Sequence, residues 1–510
     1  MEIVGKIIKR TAAVAYKRNL NRGVAFEHQI DALHYLLSKA RKTNFGMHHR
    51  FKFLLKRSSF LNLYQQYVPI TDYEQFYKSW LKATIDGVPN NTWPGLIDHF
   101  ALSSGTTGAS SKRLPVTKKF IRSFQKMSMR QISTLHKLDL PALFFQKSIL
   151  VVGGSSDLVE IHNRFEGDLS GILKKYTASV VTPFTQPGKQ IASIKSWVDK
   201  LDAMVEAAPT WDIGVVAGVP SWCVMLIERI IERHNLKTIH DIWPNFHVYV
   251  HGGIFIEPYV HRFEKVFGQK VHFLNTYLAS EGYFAYQKNP EQEGMQLLLN
   301  SGNFYEFVPF DDKHFTPDGQ VINPHFALTI NEVEANKDYA LVITTNAGLW
   351  RYLLGDLVSF TSVQKREIKI TGRIQQYLSH CGEHLSADNI NEAVLRTGNA
   401  LNIEVDEFCV YADKTNDVPN HVWYFGVQDL KNFDTQAFSK KLDENLKIVN
   451  DDYAGVRKMT LAAPVVHVIQ NTVFYEYMQH IGKFGSQSKF PRVMIGAQSE
   501  TWIDFLAKRL

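Results

Sequence analysis

Between residues 148 and 277 the chain repeats one alternation that leaves few folds open to it. The short apolar runs SILVVGG, WDIGVVAGVP, FHVYVHGG and KVHFLNTY lead into Gly, Pro or polar turns and alternate with helical stretches such as 219–235 and 257–267. Strand-length apolar runs spaced by helices form βα units, which pair into a mostly parallel sheet. The expected class is α/β, and such sheets place ligands beyond the carboxyl ends of their strands.

The flanks differ in texture. Residues 1–100, rich in Phe, Tyr and Leu, read mainly as helices. Within them VPITDYEQFYKSW is a turn and a capped helix, with Thr71 as N-cap and Glu74 three residues on. After the parallel region come GNFYEFVPF, YALVITTNAGLWRYLLGDLVSF and REIKITGR, a more antiparallel stretch. Beyond Arg373 the pattern restarts with a helix at 387–398, strands EVDEFCVYAD and HVWYFGVQ, a helix at 433–448 and a strand APVVHVIQ. These runs predict a large N-terminal multi-sheet α/β domain over 1–373 and a smaller C-terminal α+β domain over 374–510. With 45% hydrophobic residues, the 510-residue chain can bury cores of that size.

Composition removes several function classes. Lys and Arg number 57 against 50 Asp and Glu, a net charge of +7 without a basic stripe beyond short groups such as Lys112-Arg113 and Lys118-Lys119. That pattern suits an anionic small substrate and not a nucleic acid. Three cysteines, Cys223, Cys381 and Cys409, are too few and too scattered for a disulfide framework or a CxxC metal site, and they fit a reducing cytoplasm. At the N-terminus Ile3, Ile7 and Ile8 recur at helical spacing while Lys6, Lys9 and Arg10 interrupt them, which reads as an amphipathic surface helix and not a signal peptide. The uncharged run at residues 213–227 contains Pro220 and falls short of the ~20 residues a membrane helix requires.

The stretch LSSGTTGASSKRLPVT, residues 102–117, carries the chemistry. Backbone N–H groups in a Gly-rich turn converge on anions, Ser and Thr hydroxyls add donors without bulk, and Lys112 adds charge. The loop suits polyphosphate; a surface turn is its other reading. It is not a Walker A loop, and neither a G-x-S-x-G elbow nor an H-E-x-x-H zinc motif occurs elsewhere. Three later stretches add to it. YLASEG, residues 277–282, follows an apolar strand; RYLLGD, residues 351–356, ends a strand in an acid before TGR at 371–373; and QSKFPR, residues 487–492, sets Lys489 in a loop.

This ordered set of motifs resembles the adenylate-forming superfamily and, within it, the auxin-responsive amido synthetases (the Gretchen Hagen family). CGEHLSADNINEAV is similar to that family's segment past the hinge, and the likeness spans residues 100–495. The resemblance implies that Ser103, Ser104, Gly105, Thr106, Thr107 and Gly108 cradle the β- and γ-phosphates of ATP. It also implies that Glu281, beside Ser280, holds Mg²⁺, and that Tyr277 and, more loosely, His251 to Gly253 flank the adenine. Asp356 would accept the ribose hydroxyls, Arg373 would contact the nucleotide at the hinge, and Lys489 would be the catalytic lysine, with Lys483 as competitor. Leu353-Leu354 stand where plant members often carry a second basic residue, which loosens the match to plant-hormone substrates.

The implied function is a two-step ligase that adenylates a small carboxylic acid with ATP and Mg²⁺ and then joins it to an amino acid. An acyl-CoA synthetase and a nucleotide-binding relative without turnover are the alternatives; retention of both Lys489 and Glu281 weighs against the second. Glu383, Asp388, Glu392, Glu404, Asp406 and Glu407 form an acidic run opposed by Arg396 alone. Such a face would repel CoA phosphates and accept an ammonium-bearing acceptor.

Overall fold

The computed structural model describes the chain except for residues 1, 20–23, 104–111, 162–163, 178–180, 317–318, 375–377, 379–382, 384, 414–417, 428–429, 431–432, 459, 486–488 and 510. Contacts divide the described residues into two units. One takes in residues up to 103 with 112–253 and 266–370, the other 254–265 with 371–510.

All four apolar runs become neighbouring parallel strands. Ser148–Val151, Ile213–Gly218, Val248–Gly252 and His272–Ala279 lie side by side, and Thr185–Gln186 adds an edge. The chain then reverses through Ser280-Glu281, and the same sheet continues antiparallel: Gly282–Tyr286, Met295–Leu297, Glu367–Arg373, Tyr352–Ser362, Asp338–Thr344 and Phe304–Pro309. Among the described residues this sheet has eleven strands. The stretch YALVITTNAGLWRYLLGDLVSF is two of them, separated at Thr345–Arg351. A second, four-stranded sheet is built around His99–Ser103, which pairs antiparallel with Lys112–Pro115 and parallel with Arg164–Gly167.

Helix Ala25–Ala40 buries Leu33, Leu36, Leu37 and Ala40, the i, i+3, i+4, i+7 stripe, in a core shared with Phe51, Tyr64, Phe304, Ile343 and Trp350. Two expectations change in this region. The helix at 73 is capped by Asp72 and not Thr71, with Gln75 and not Glu74 completing the capping box. Thr71 is taken by the sheet: it bridges Tyr352, its N–H donating to the Arg351 carbonyl and its carbonyl accepting from Leu353. Helix Glu2–Asn19 lies on the surface as expected, but Ile3, Ile7 and Ile8 point outward. Its contact face is made by Gly5, where an added Cβ would sit 1.9 Å from the Ala142 carbonyl oxygen.

The first unit is pinned by a buried ion pair. Arg351 and Glu306 are both fully buried, with Arg351 Nε 3.0 Å from Glu306 Oε2. Arg351 Nη1 donates to the carbonyls of Gln65 (2.9 Å), Val68 (2.8 Å) and Pro324 (3.2 Å), and Glu306 Oε1 accepts from Gln65 Nε2. These bonds tie the helix Phe60–Tyr67 and the 324 loop to two sheet strands.

In the second unit, Glu407–Asp413 and Asn420–Val427 pair antiparallel and Val465–Gln470 joins in parallel. Strand alternation sends Phe408, Val410, Trp423 and Phe425 toward helices Ala387–Leu401 and Thr435–Val449, and Cys409 and Tyr424 toward Asn471–His480 and Ala497–Ala507, with Trp502 in that second core.

Replacing one partner of the buried pair leaves the other charge stranded, so Arg351→Met should lower the unfolding free energy by about 3–5 kcal/mol. Urea unfolding followed by tryptophan fluorescence measures it, and Arg351→Met/Glu306→Leu should recover part of the loss. A single-variant loss below about 1 kcal/mol would show that the pair anchors nothing.

Candidate functional site

The sheet changes from parallel to antiparallel at a two-residue turn, and that turn is Ser280-Glu281. Ala279 and Gly282 are cross-strand partners, so Ser280 and Glu281 are hairpin residues and cap no helix; Glu281 is buried. Tyr277, two residues before the turn, lies in the core with its ring edge-on to Phe284 at 5.0 Å. Its hydroxyl donates to Asp356 Oδ2 at 2.7 Å.

Asp356 reaches that hydroxyl because its strand is irregular. Opposite Ala340 to Val342, residues Leu353 to Leu357 carry extra length, and Gly355 sits at φ +91° within the bulge. A side chain there would meet nothing within 4 Å, so the glycine answers a backbone demand and not crowding. Bulges of this kind re-aim side chains, and here the affected residue is the buried acid.

Tyr352 completes the group. It is fully buried, and its hydroxyl has no hydrogen-bond partner among the described residues. Burial, reinforced by Glu281, Tyr73, Asp72 and Asp356, holds its pKa well above the ordinary phenol value, so it stays a protonated donor. Three carboxylates, Glu281, Asp72 and Asp356, thus act on this donor, an arrangement suited to a polar ligand with both acceptor and donor groups.

At the end of Val248–Gly252, His251 is buried with Nδ1 unpartnered among the described residues, its ring 5.7 Å from Tyr249 and 6.4 Å from Phe273. Burial pulls its pKa to about 3, so the imidazole is neutral. Gly252 is obligatory for packing: a Cβ would fall 2.4 Å from the Thr276 carbonyl oxygen.

Ser103 closes its strand opposite Lys112 in an antiparallel pair. Ser104, Gly105, Thr106, Thr107 and Gly108 lie outside the described residues. The Lys112 ammonium stands 5.1 Å over the Tyr73 ring, while Arg113 pairs with buried Glu166 at 2.9 Å. Among the described residues no group of three or more His, Cys, Asp or Glu gathers as a metal cage.

In the second unit, Arg373 ends the strand Glu367–Arg373. Lys489 is half-buried at the start of a strap fixed to the small sheet. Phe490 packs on Phe474 and Trp502, Val410 N–H donates to the Arg492 carbonyl, and Met494 N–H donates to the Val410 carbonyl, both at 2.8 Å. Lys483 follows the helix Asn471–His480, and burial lowers its pKa.

The acidic run at the start of the small domain is not the open face its sequence implied. Glu407 accepts from Tyr259 at 2.6 Å and pairs with Arg492 at 2.7 Å; Asp406 pairs with His261 at 3.0 Å; and Glu404 pairs with Lys265 at 2.5 Å. Glu383 is fully buried against His421 at 2.8 Å, and Glu392 pairs with Arg396. Much of its charge is spent on groups remote in sequence, including the segment 254–265.

Sequence reasoning assigned no role to Arg351 or Tyr352, although both stand in RYLLGD. An arginine next to an apolar strand is the available signal for the first, since such a charge demands a buried partner. Nothing in the sequence marks Tyr352 as unsatisfied.

Models of the GH3 family N-terminal, central and C-terminal domains match residues 23–157, 296–373 and 388–497, well over half of the chain. Jasmonoyl–L-amino acid synthetase GH3.5 of Oryza sativa subsp. japonica is 25% identical over 282 residues, 52% of this chain and 48% of its own. Indole-3-acetic acid-amido synthetase GH3.4 of Arabidopsis thaliana is 28% identical over 276 residues, 50% of this chain and 45% of its own. The chain spans about half the length of these curated relatives. The structure of AtGH3.15 acyl acid amido synthetase in complex with 2,4-DB superposes with a TM-score of 0.76 at 16% identity, over 95% of this chain and 93% of that one. The crystal structure of 2-hydroxyisobutyryl-CoA ligase in the postadenylation state superposes with a TM-score of 0.61 at 12% identity, over 94% and 91%. The fold is that of adenylate-forming enzymes, and the chain belongs to the GH3 family.

Proposed function

We propose that the protein is an ATP-dependent acyl-acid amido synthetase. The observation that carries this reading is the buried Asp356 on the bulge, bonded at 2.7 Å to Tyr277 on the strand that leads into the Ser280-Glu281 turn, with the Tyr352 hydroxyl unpartnered among the described residues and its ionisation opposed by Glu281 and Asp356. Family membership adds weight, since similar members are named a jasmonoyl–L-amino acid synthetase and an indole-3-acetic acid-amido synthetase.

In this reading a carboxylate oxygen of the acid attacks the α-phosphorus of ATP and pyrophosphate leaves. An amino acid's nitrogen then attacks the acyl carbon, forming the amide and releasing AMP. Carboxylate is a poor electrophile, and adenylation supplies the leaving group it lacks. Asp356, one oxygen already bonded to Tyr277, offers its remaining lone pairs to the ribose hydroxyls. Ser103 and the loop to Gly108 cradle the phosphates, with Ser280 and Tyr277 bordering the nucleotide and Arg373 contacting it near the hinge. Glu281 is a hard oxygen ligand of the kind Mg²⁺ takes alongside phosphate oxygens, and the ion would neutralise charge on the polyphosphate.

Lys489 stabilises the negative charge that builds during adenylation. Residues 1–373 bind ATP and acid, and 374–510 form the mobile part that brings Lys489. Among the described residues no helix is long and apolar enough to cross a membrane. A cytoplasmic setting rests on the cysteines: Cys223 and Cys409 are free and buried, burial pushing the Cys223 thiol up to about 12.

Acid-dependent exchange of labelled pyrophosphate into ATP, screened over aryl, indole and aliphatic acids, tests the first step. Mass spectrometry of the products tests the second: the expected product is an amide with an amino acid, and an acyl-CoA without amide would make the protein a thioester-forming ligase. Lys489→Ala should cut exchange by roughly 10²–10³ while nucleotide binding survives, the scale of losing one transition-state stabiliser. Near-normal exchange in that variant would pass the role to Lys483. Glu281→Gln should raise the Mg²⁺ requirement and recover in part at high Mg²⁺, whereas unfolding at unchanged metal dependence would make Glu281 structural.

A further inference from the structure

Four lysines line one cleft at the far end of the strand that leads to Ser280-Glu281. The cleft, about 950 Å³, is bordered by Lys137, Lys270, Lys288 and Lys365. It opens at His272, where the strand His272–Ala279 begins, so a strand of about 23 Å, at ~3.3 Å per residue, separates it from the hairpin turn. All four lysines lie in the first unit.

None of these ammonium groups is ion-paired among the described residues. Lys137 donates to the Tyr16 hydroxyl at 2.6 Å and stands 4.1 Å over its ring, and Lys288 donates to Gln296 Oε1. Lys270 and Lys365 line the cleft as well, and among the described residues neither ammonium group has a side-chain hydrogen bond or ion pair. Burial lowers the Lys288 pKa, and Lys137, Arg130 and Lys365 add to that shift while Glu367 opposes it, so the charges are close enough to repel one another. Three carboxylates also border the cleft. Glu367 is buried without an ion pair among the described residues, while Asp139 and Glu291 raise the pKa of His272 against the effects of burial and Lys270.

Clustered like charges held without partners cost free energy, which a bound anion offsets. The carboxylates oppose a monoanion, so the ligand must carry several negative charges to gain from four lysines at once. A cleft of this volume admits a molecule the size of a nucleotide. We infer that this cleft is a second ligand site, separate from the adenylation site, that binds a small molecule bearing two or more phosphate groups. Its position at the opposite end of a site-bearing strand makes it a candidate effector site.

Inorganic tripolyphosphate is the probe, followed by isothermal titration and by hydrogen exchange of the segments around 270–273, 288–296 and 365–367. Wild type should bind it and gain protection there. Lys288→Gln/Lys365→Gln should weaken that binding at least tenfold, with melting unchanged. The single exposed Lys365→Gln should weaken it by a smaller factor, which keeps the test valid if the double variant folds poorly. Sedimentation with phosphatidylcholine vesicles, with and without phosphatidylinositol bisphosphate, separates the sources. Pelleting abolished by the double variant assigns the phosphates to a lipid headgroup; tripolyphosphate binding without pelleting assigns them to a soluble molecule. Equal affinity in wild type and both variants, or protection confined to other segments, overturns the inference.

Discussion

The ion pair between Arg351 and Glu306 sets the geometry on which the site depends. Burying two charges is costly, and it is tolerated here because the bonds are shared out among acceptors fixed in the fold. A lysine could not do the same, since a point charge with three donors lacks the planar fork that reaches a carboxylate and several carbonyls together. Arg351 also takes φ +41°, a left-handed conformation that its bonds must hold in place. The next residue is Tyr352, and the bulge that aims Asp356 follows within the same strand. Anchoring that strand's first turn fixes where both side chains start.

The parts of the fold legible in the sequence are those governed by local pattern. Apolar runs such as 148–151 and 213–218 needed only length, composition and flanking turns to be read as parallel strands, and RYLLGD and YLASEG stood out as motifs. The misread details depended on tertiary competition. Thr71 has the chemistry of a cap, but its backbone is claimed by Tyr352, which leaves Asp72 to cap the helix. Ile3, Ile7 and Ile8 have the spacing of a buried face, yet Gly5 gives the closer approach and turns them outward. The bulge at Gly355 is equally invisible in sequence, because it is defined by register against Ala340–Val342.

Charge proved the least transferable signal. The six acidic residues early in the small domain read as one electrostatic face, but four of them have partners that sequence distance conceals, Arg492, His261, Lys265 and His421, and Glu392 pairs with the nearby Arg396. The lysines at 137, 270, 288 and 365 show the converse. Scattered over more than two hundred residues, they looked like ordinary surface charge, and only the fold gathers them. Net charge counts neither effect, because field strength depends on which charges lack a counterion nearby.

A physical reason connects the site to the sheet's change of direction. In the parallel half, strands run the same way and their carboxyl ends share one edge, where backbone ends abruptly and ligands find open donors. At Ser280-Glu281 the chain stops crossing over and folds straight back, so the last parallel strand and the first antiparallel one meet in a turn with no room for a helix. A carboxylate in that turn is held by two strands at once, which gives it a precision that a long loop lacks. The strand bearing Asp356 comes from the antiparallel half, three strands away from the turn's second strand in the sheet order, and the Tyr277 hydroxyl spans the interval. That hydrogen bond is therefore more than a local contact: it joins the last parallel strand, which leads into the Ser280-Glu281 turn, directly to the strand of the antiparallel half that carries Asp356.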